Sequence, residues 1–267
     1  MKCFASREVI TAFARGWVVL RVHRLGRPWR VLTAIRIMVC MTTTLITGGN
    51  RGIGFETARQ LLQLGHDVII GARDEARGRE AAKKLGARFV QLDVTKDASV
   101  TEAAKELDAL DVLINNAGIS GPFVPVMELQ IDAMRDVFET NVFGVARVTR
   151  AMLPLLRKSS CPVIVNVASG LGSITTVLDQ SRIESKLPSL AYSSSKSALV
   201  MATVQYAKSL PEMRINVVDP GYTATEFNGY RGPQTVGEGA EIIVKMARLG
   251  RDGPTGTFSD RHGTLGW

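Results

Sequence analysis

Short apolar runs alternate with longer stretches in which apolar residues return every three or four positions, from residue 43 almost to the end of the chain. "TTLIT" (43–47) precedes "GIGFETARQLLQLG", where Ala58, Leu61 and Leu62 mark one helix face and Gly65 its stop. "DVIIGA" (67–72) reads as a strand, and "DEARGREAAKKLG" as a helix with Asp74 at its N-cap. "ARFVQLDV" leads into the helix "DASVTEAAKELDAL", and "DVLINNAG" (111–118) is the fourth strand. A helical region over 128–157, a fifth strand in "CPVIVNVAS" (161–169), a helix over 189–210 and a sixth strand in "RINVVDPG" (214–221) follow. "TGTFSD" (255–260) is a short seventh, after a helix in "TVGEGAEIIVKMARL" capped by Thr235 and Glu238.

Most of these strands are apolar on consecutive residues, as parallel strands covered on both faces are. Strand–helix alternation then predicts an α/β fold: a single doubly wound Rossmann-type domain, with a parallel sheet of about seven strands, over residues 41–267.

Composition changes that picture only at the N-terminus. The 267 residues are 45% hydrophobic and 22% charged, ordinary values for one sizeable core. The formal charge of +8 is unevenly placed. Residues 1–40 carry eight basic residues and one acid, Glu8, which leaves 25 basic and 24 acidic residues beyond them. The near-neutral body gives no reason to expect a nucleic-acid partner. The basic extension is expected to lie outside the fold, as a targeting segment, an arm, or sequence upstream of a natural start at Met41, the last being favoured. The longest uncharged run, Ser159 to Leu178, contains Pro162, Asn166 and glycine turns, and reads as strand plus loop rather than a membrane span. Cys3, Cys40 and Cys161 match no metal spacing, and a sparse odd set suits a reducing, cytoplasmic setting. His23, His66 and His262 are scattered and read as surface or loop residues, so no metal site is expected.

Three motifs carry chemistry. "TGGNRGIG" places Gly48, Gly52 and Gly54 between the first strand and first helix, where a backbone of glycines admits a pyrophosphate to the helix N-terminus. At the end of the second strand, "GARD" puts Arg73 where an NAD site usually holds an acid, Asp74 being spent as a cap. Arg73 and Arg51 suit the 2′-phosphate of NADP(H), which is therefore preferred over NAD(H). In "AYSSSKSA", Tyr192 and Lys196 are four residues apart on one helix face, where the ammonium is expected to favour the phenolate.

With "TGGNRGIG", "NNAG" (115–118) and "YSSSK" (192–196) in this order, the chain resembles the short-chain dehydrogenase/reductase family, in its carbonyl reductase-like branch, over about residues 43–258. The resemblance implies catalytic roles for Tyr192 and Lys196, for Ser169 as the serine that polarises the substrate carbonyl, and for Asn141 as support for a water-mediated proton relay. It implies cofactor contacts from Gly48, Asn50, Arg51, Gly52, Ile53 and Gly54, from Arg73, from Asp93 and Val94 at the adenine, and from Asn115, Ala117 and Gly118. Tyr192 and Lys196 also border the cofactor, as do Pro220, Gly221, Thr223 and Thr225 in "PGYTAT", which resembles the segment closing over the nicotinamide. The substrate would be a small carbonyl or alcohol, and a homo-oligomer pairing through the helices of Asn141 and Tyr192 stays open beside a monomer.

Two departures matter. Ala168 stands where the family often has a second serine, and Tyr192 follows Ser169 by 23 positions, a longer interval than most members have. The added residues, within "ITTVLDQSRIESKLPS", are expected beside the substrate cleft. With residues 119–128 and "EFNGYRGPQT" they would present Phe123, Val124, Leu178, Phe227 and Tyr230 to an apolar substrate. Two other readings remain open: an epimerase or dehydratase of the extended branch, disfavoured by the short C-terminal region, and a non-catalytic cofactor sensor, disfavoured because all four catalytic positions are filled.

Overall fold

Every strand that the apolar runs predict is present in the computed structural model, which describes residues 41–267. The readings of residues 1–40 lie outside the described residues. Strands β1 (Thr43–Thr47), β2 (Asp67–Ala72), β3 (Arg88–Gln91), β4 (Val112–Asn115), β5 (Val163–Val167), β6 (Arg214–Val218), β7 (Phe258–Asp260) and β8 (Gly263–Thr264) form one sheet in the order β3-β2-β1-β4-β5-β6-β7-β8. The pairs from β3 to β7 are parallel.

The seven expected parallel strands are all there, and β8 adds an eighth that pairs antiparallel with β7. Asp260 Oδ1 accepts the His262 and Gly263 amides at 2.8 and 2.9 Å, folding the chain back on itself. A two-residue strand built on a side-chain turn leaves no periodicity to read.

Successive strand residues feed opposite cores, as a pleat covered on both faces requires. Leu45, Ile69, Leu113 and Ile164 face α3 (Asp97–Lys105), α5 (Gly144–Leu156) and α7 (Leu190–Ser209), with Val148, Met152 and Leu156 packed among them. Ile46, Ile70, Ile114 and Val165 face α1 (Gly52–Gln63), α2 (Glu75–Leu85) and α8 (Val236–Ala247), against Leu61, Ile242 and Ile243. The remaining helices are α4 (Ile131–Phe138) and α6 (Ile174–Leu178). Among the described residues no helix is long and apolar enough to cross a membrane.

Both expected caps form. Asp74 accepts the Arg77 amide at 3.0 Å. Thr235 Oγ1 accepts the Glu238 amide at 3.2 Å, while Glu238 Oε2 accepts the Thr235 amide at 2.9 Å. Thr235→Ala removes half of that box and is expected to cost about 1 kcal/mol. For a domain of this size that lowers the thermal midpoint by about 3 °C in calorimetry; an unchanged midpoint would show that the box adds nothing.

Two local readings are corrected. His66 is buried rather than on the surface, its Nδ1 lying 2.8 Å from Thr44 Oγ1; burial first, then Arg248, pushes its pKa down. The helical region over 128–157 is interrupted by a π turn at Glu139–Phe143, between α4 and α5.

The order β3-β2-β1-β4 makes the chain cross over between β1 and β4. Beyond the carboxyl ends of these two strands the connections diverge to opposite faces, and a crevice opens there.

Candidate active site

That crevice is a cleft of about 330 Å³. On one side it begins at the β1–α1 loop. Gly48 and Gly52 have φ of +66° and +56°, which L side chains adopt only with strain. A Cβ at Gly54 would stand 2.4 Å from Asn116 Nδ2. Asn116 holds the loop down: Nδ2 donates to the Thr47 and Gly48 carbonyls at 2.9 and 3.2 Å. Thr47 Oγ1 in turn accepts the Asn116 and Ala117 amides, each at 3.0 Å. The start of α1, with Arg51 at its N-cap and no side-chain cap bond, leaves first-turn amides for an anion. A 12-residue helix, a glycine approach and free amides make a donor set that fits a dinucleotide pyrophosphate.

Asn50, Arg51, Ile53 and Gly54 join Gly48 and Gly52 on this wall, and Arg73, Asp93, Val94, Ala117 and Gly118 continue it. Arg51 is paired with Glu226 across the mouth, Nη1 to Oε2 at 2.7 Å, with both side chains more than half exposed. Asp93 shapes its own turn, Oδ1 accepting the Thr95 amide and hydroxyl at 3.0 and 2.8 Å. Pro220, Gly221, Thr223 and Thr225 line the opposite side, with Phe227 and Asn228.

Of the expected residues, Asn115 stands elsewhere and Asn141 lies behind the wall. Asn115 is 2% exposed and turned into the sheet, where Nδ2 donates to Thr149 Oγ1 at 3.1 Å and Asn166 Oδ1 at 2.9 Å. The following Asn116 faces the cleft instead; one residue along a strand end reverses the direction of a side chain. Asn141 is fully buried behind the wall rather than in it. It lies in the π turn, which supplies the extra residue that turns it inward. Its Oδ1 accepts the Ile119 amide at 2.9 Å, and its Nδ2 donates to the Ile119 carbonyl and to Ser195 Oγ at 2.9 and 3.0 Å.

Ser169, Tyr192 and Lys196 converge midway along the cleft. β5 ends just before Ser169, which opens a 3₁₀ turn at Gly170–Gly172 by accepting the Leu171 amide at 3.2 Å. α7 crosses closely enough that a Cβ at Gly172 would stand 2.8 Å from the Lys196 carbonyl carbon. Lys196 Nζ donates to the Val167 carbonyl at 2.8 Å and lies 5.5 Å from the centre of the Tyr192 ring. Phe123 and Phe227 flank that ring, with centroids 6.5 and 5.9 Å away.

The electrostatics correct one expectation. Burial pushes the Tyr192 phenol well above its ordinary value, the Asp219 carboxylate adds to that, and a hydrogen bond with Ser169 opposes both. Burial pushes Lys196 down to about 8, with Asp219 opposing. In the protein alone burial therefore decides, and the phenol keeps its proton.

The long interval before Tyr192 is folded as α6 and a 3₁₀ turn at Ile183–Lys186, and Ile183, Glu184 and Leu187 line the cleft. Phe123 and Phe227 line the cleft as expected, whereas Val124, Leu178 and Tyr230 do not; Ile119 and Tyr222 line it as well. Glu184 and Asp219 carry no signal in the sequence, because one lies in an irregular segment and the other reads as the polar end of a strand.

The family model described as short chain dehydrogenase matches residues 42–235. The chain is similar to the (+)-neomenthol dehydrogenase of Capsicum annuum, 32% identical over 294 residues, 80% of this chain and 94% of that protein. It is 30% identical over 293 residues to the salutaridine reductase of Papaver bracteatum, covering 82% of this chain and 94% of the other. Among solved structures, the NADPH-bound carbonyl reductase from chicken fatty liver superposes with a TM-score of 0.75 at 28% identity, over 85% of this chain and 99% of that one.

Proposed function

The chain belongs to the short-chain dehydrogenase family, and from that premise we propose that it is an NADP(H)-dependent oxidoreductase interconverting an apolar aldehyde or ketone with its alcohol. The observation that carries this reading is the convergence of Ser169, Tyr192 and Lys196 on a cleft whose glycine wall suits a dinucleotide. The nicotinamide group supplies or accepts the hydride. In carbonyl reduction Tyr192 gives its proton to the substrate oxygen, and Ser169 donates a hydrogen bond to the same oxygen. Lys196 stands where its ammonium stabilises the phenolate left behind, and Asn141 fixes the Ile119 backbone beside it. A protonated phenol before reaction is the state that carbonyl reduction needs. The NADPH named for a structural neighbour, together with Arg51 and Arg73 on the wall, supports the cofactor preference. The dehydrogenase and reductase names of the relatives, with a substrate end bordered by Phe123, Ile183, Leu187 and Phe227, support an apolar carbonyl substrate.

The test is cofactor consumption, NADPH against NADH, with a panel of cyclic and aromatic ketones and aldehydes. NADPH-selective turnover of apolar members is the expected result. NADH-selective turnover would overturn the cofactor preference alone. Tight cofactor binding without turnover on any carbonyl would overturn the hydride-transfer reading.

A further inference from the structure

Asp219 is 4% exposed yet borders the cleft, and the chemistry just described makes no use of it. It ends the apolar run of β6, in "VVDPG". Its Oδ1 accepts the Gly221 amide at 2.9 Å, and its Oδ2 packs against Gly170. Gly170 directly follows Ser169, and Gly221 starts the segment opposite the glycine wall. A Cβ at Gly170 would stand 2.9 Å from both Asp219 Oδ2 and Glu184 Oε1. The serine turn, the exit of β6 and the insert before α7 therefore meet at two carboxylates, with glycine as the spacer.

We propose that Asp219 is a positioning residue: its carboxylate clamps the Ser169 turn to the Gly221 segment and sets the pH range over which Tyr192 exchanges its proton. The second part rests on the hydride-transfer reading above.

The groups facing Asp219 come from each neighbouring element. Glu184 and Arg182 belong to the insert, Asp260 to β7, and Tyr192 and Lys196 to α7. Arg182 is drawn to Glu184, with Nε and Nη2 each 3.4 Å from its oxygens, which leaves the Asp219 charge only partly offset. Burial first, with Glu184 and Asp260 adding, pushes the Asp219 carboxyl up to about 6, against the backbone amides that face it. Once ionised, Asp219 opposes a phenolate at Tyr192 and favours an ammonium at Lys196. It holds the pair in its protonated form, the form that donates to a carbonyl oxygen.

The test uses Asp219→Asn, which keeps the shape and one acceptor, and Glu184→Gln, which removes a facing charge. The first readout is the thermal midpoint from pH 4 to 7 and needs no activity. A carboxyl raised in the folded protein contributes stability that is full below its unfolded pKa, near ~3.9. That contribution is lost as pH rises through about 6. The wild-type protein is expected to lose midpoint across this window relative to Asp219→Asn, and Glu184→Gln to move the loss to lower pH. The second readout is the pH dependence of alcohol oxidation, which needs the phenolate and rises with pH. Asp219→Asn is expected to move that rising limb down by about one pH unit. Its plateau also falls, since an amide nitrogen replaces one of the two carboxylate oxygens that face Gly221 and Gly170. A residue that only held the fold together would lower the plateau and leave the limb in place.

Parallel stability curves in wild type and Asp219→Asn overturn the proposal, and so does an unmoved limb. If the stability difference is found but no protein turns over any alcohol with either cofactor, the clamp is supported. The hydride-transfer reading, and the claim about Tyr192 that depends on it, are then overturned.

Discussion

Replacing Tyr192 with Phe is expected to lower carbonyl reduction by about 10³-fold, within the 10²–10⁴ that a positioned proton donor supplies. The size of the effect follows from the surroundings. The phenol is nearly buried, and burial and Asp219 both hold its proton in place. Lys196 is tethered away from that point, its Nζ bonded to the Val167 carbonyl at 2.8 Å and 5.5 Å from the centre of the Tyr192 ring. A water delivered to the same point would lack the fixed geometry that makes the transfer efficient. The substitution removes one oxygen and keeps the ring contacts to Phe123 and Phe227, so fold and cofactor cleft should persist. The two measurements are kcat for a ketone that the wild-type protein reduces and the Kd for NADPH by fluorescence. Loss of kcat at constant Kd is the expected outcome. A variant that keeps wild-type kcat would remove Tyr192 from the chemistry, whatever the spacing to Lys196.

The strands were legible because a sheet covered on both faces writes itself as consecutive apolar residues. Leu45 and Ile46 are adjacent, yet each fills a different core. The glycine loop was legible because a left-handed backbone and a close approach demand residues without side chains, and Gly48, Gly52 and Gly54 meet those demands on the cleft wall. Positions that depend on one residue of register were not. Nothing local distinguishes Asn115 from Asn116, and only the pleat decides that the first turns toward Thr149 and the second toward the loop. Nor does a helical period reveal the π turn that buries Asn141. The pairing of Asp219 with Glu184 was illegible for a stronger reason: it exists only because the insert folds back over the Ser169 turn. The raised Tyr192 pKa of the protein alone was illegible in the same way. Spacing on a helix gives the distance to Lys196 but not the burial that dominates the phenol.

Arg73→Ser is expected to raise the KM for NADPH by about tenfold to a hundredfold and to leave the KM for NADH unchanged. A hydrogen bond to a charged group contributes about 1.5–3 kcal/mol, and each 1.4 kcal/mol is about tenfold in affinity. Arg73 is exposed at the end of β2 and lines the cleft beside the glycine loop. The neighbouring acid does not compete for ribose hydroxyls, because the Asp74 carboxylate already accepts the Arg77 amide. Arg51 is placed differently. Its guanidinium must leave Glu226 to reach a 2′-phosphate, and an exposed pair of this kind holds it by less than about 1 kcal/mol. Arg51→Ser should therefore raise the NADPH KM less than Arg73→Ser does, and Glu226→Gln should lower it slightly by releasing Arg51. The order of the three variants separates a specific phosphate contact from a general positive field. If Arg73→Ser raised the KM for both cofactors equally, Arg73 would be supporting the loop and not reading the phosphate. The preference for NADP(H) would then lose its main support in this chain.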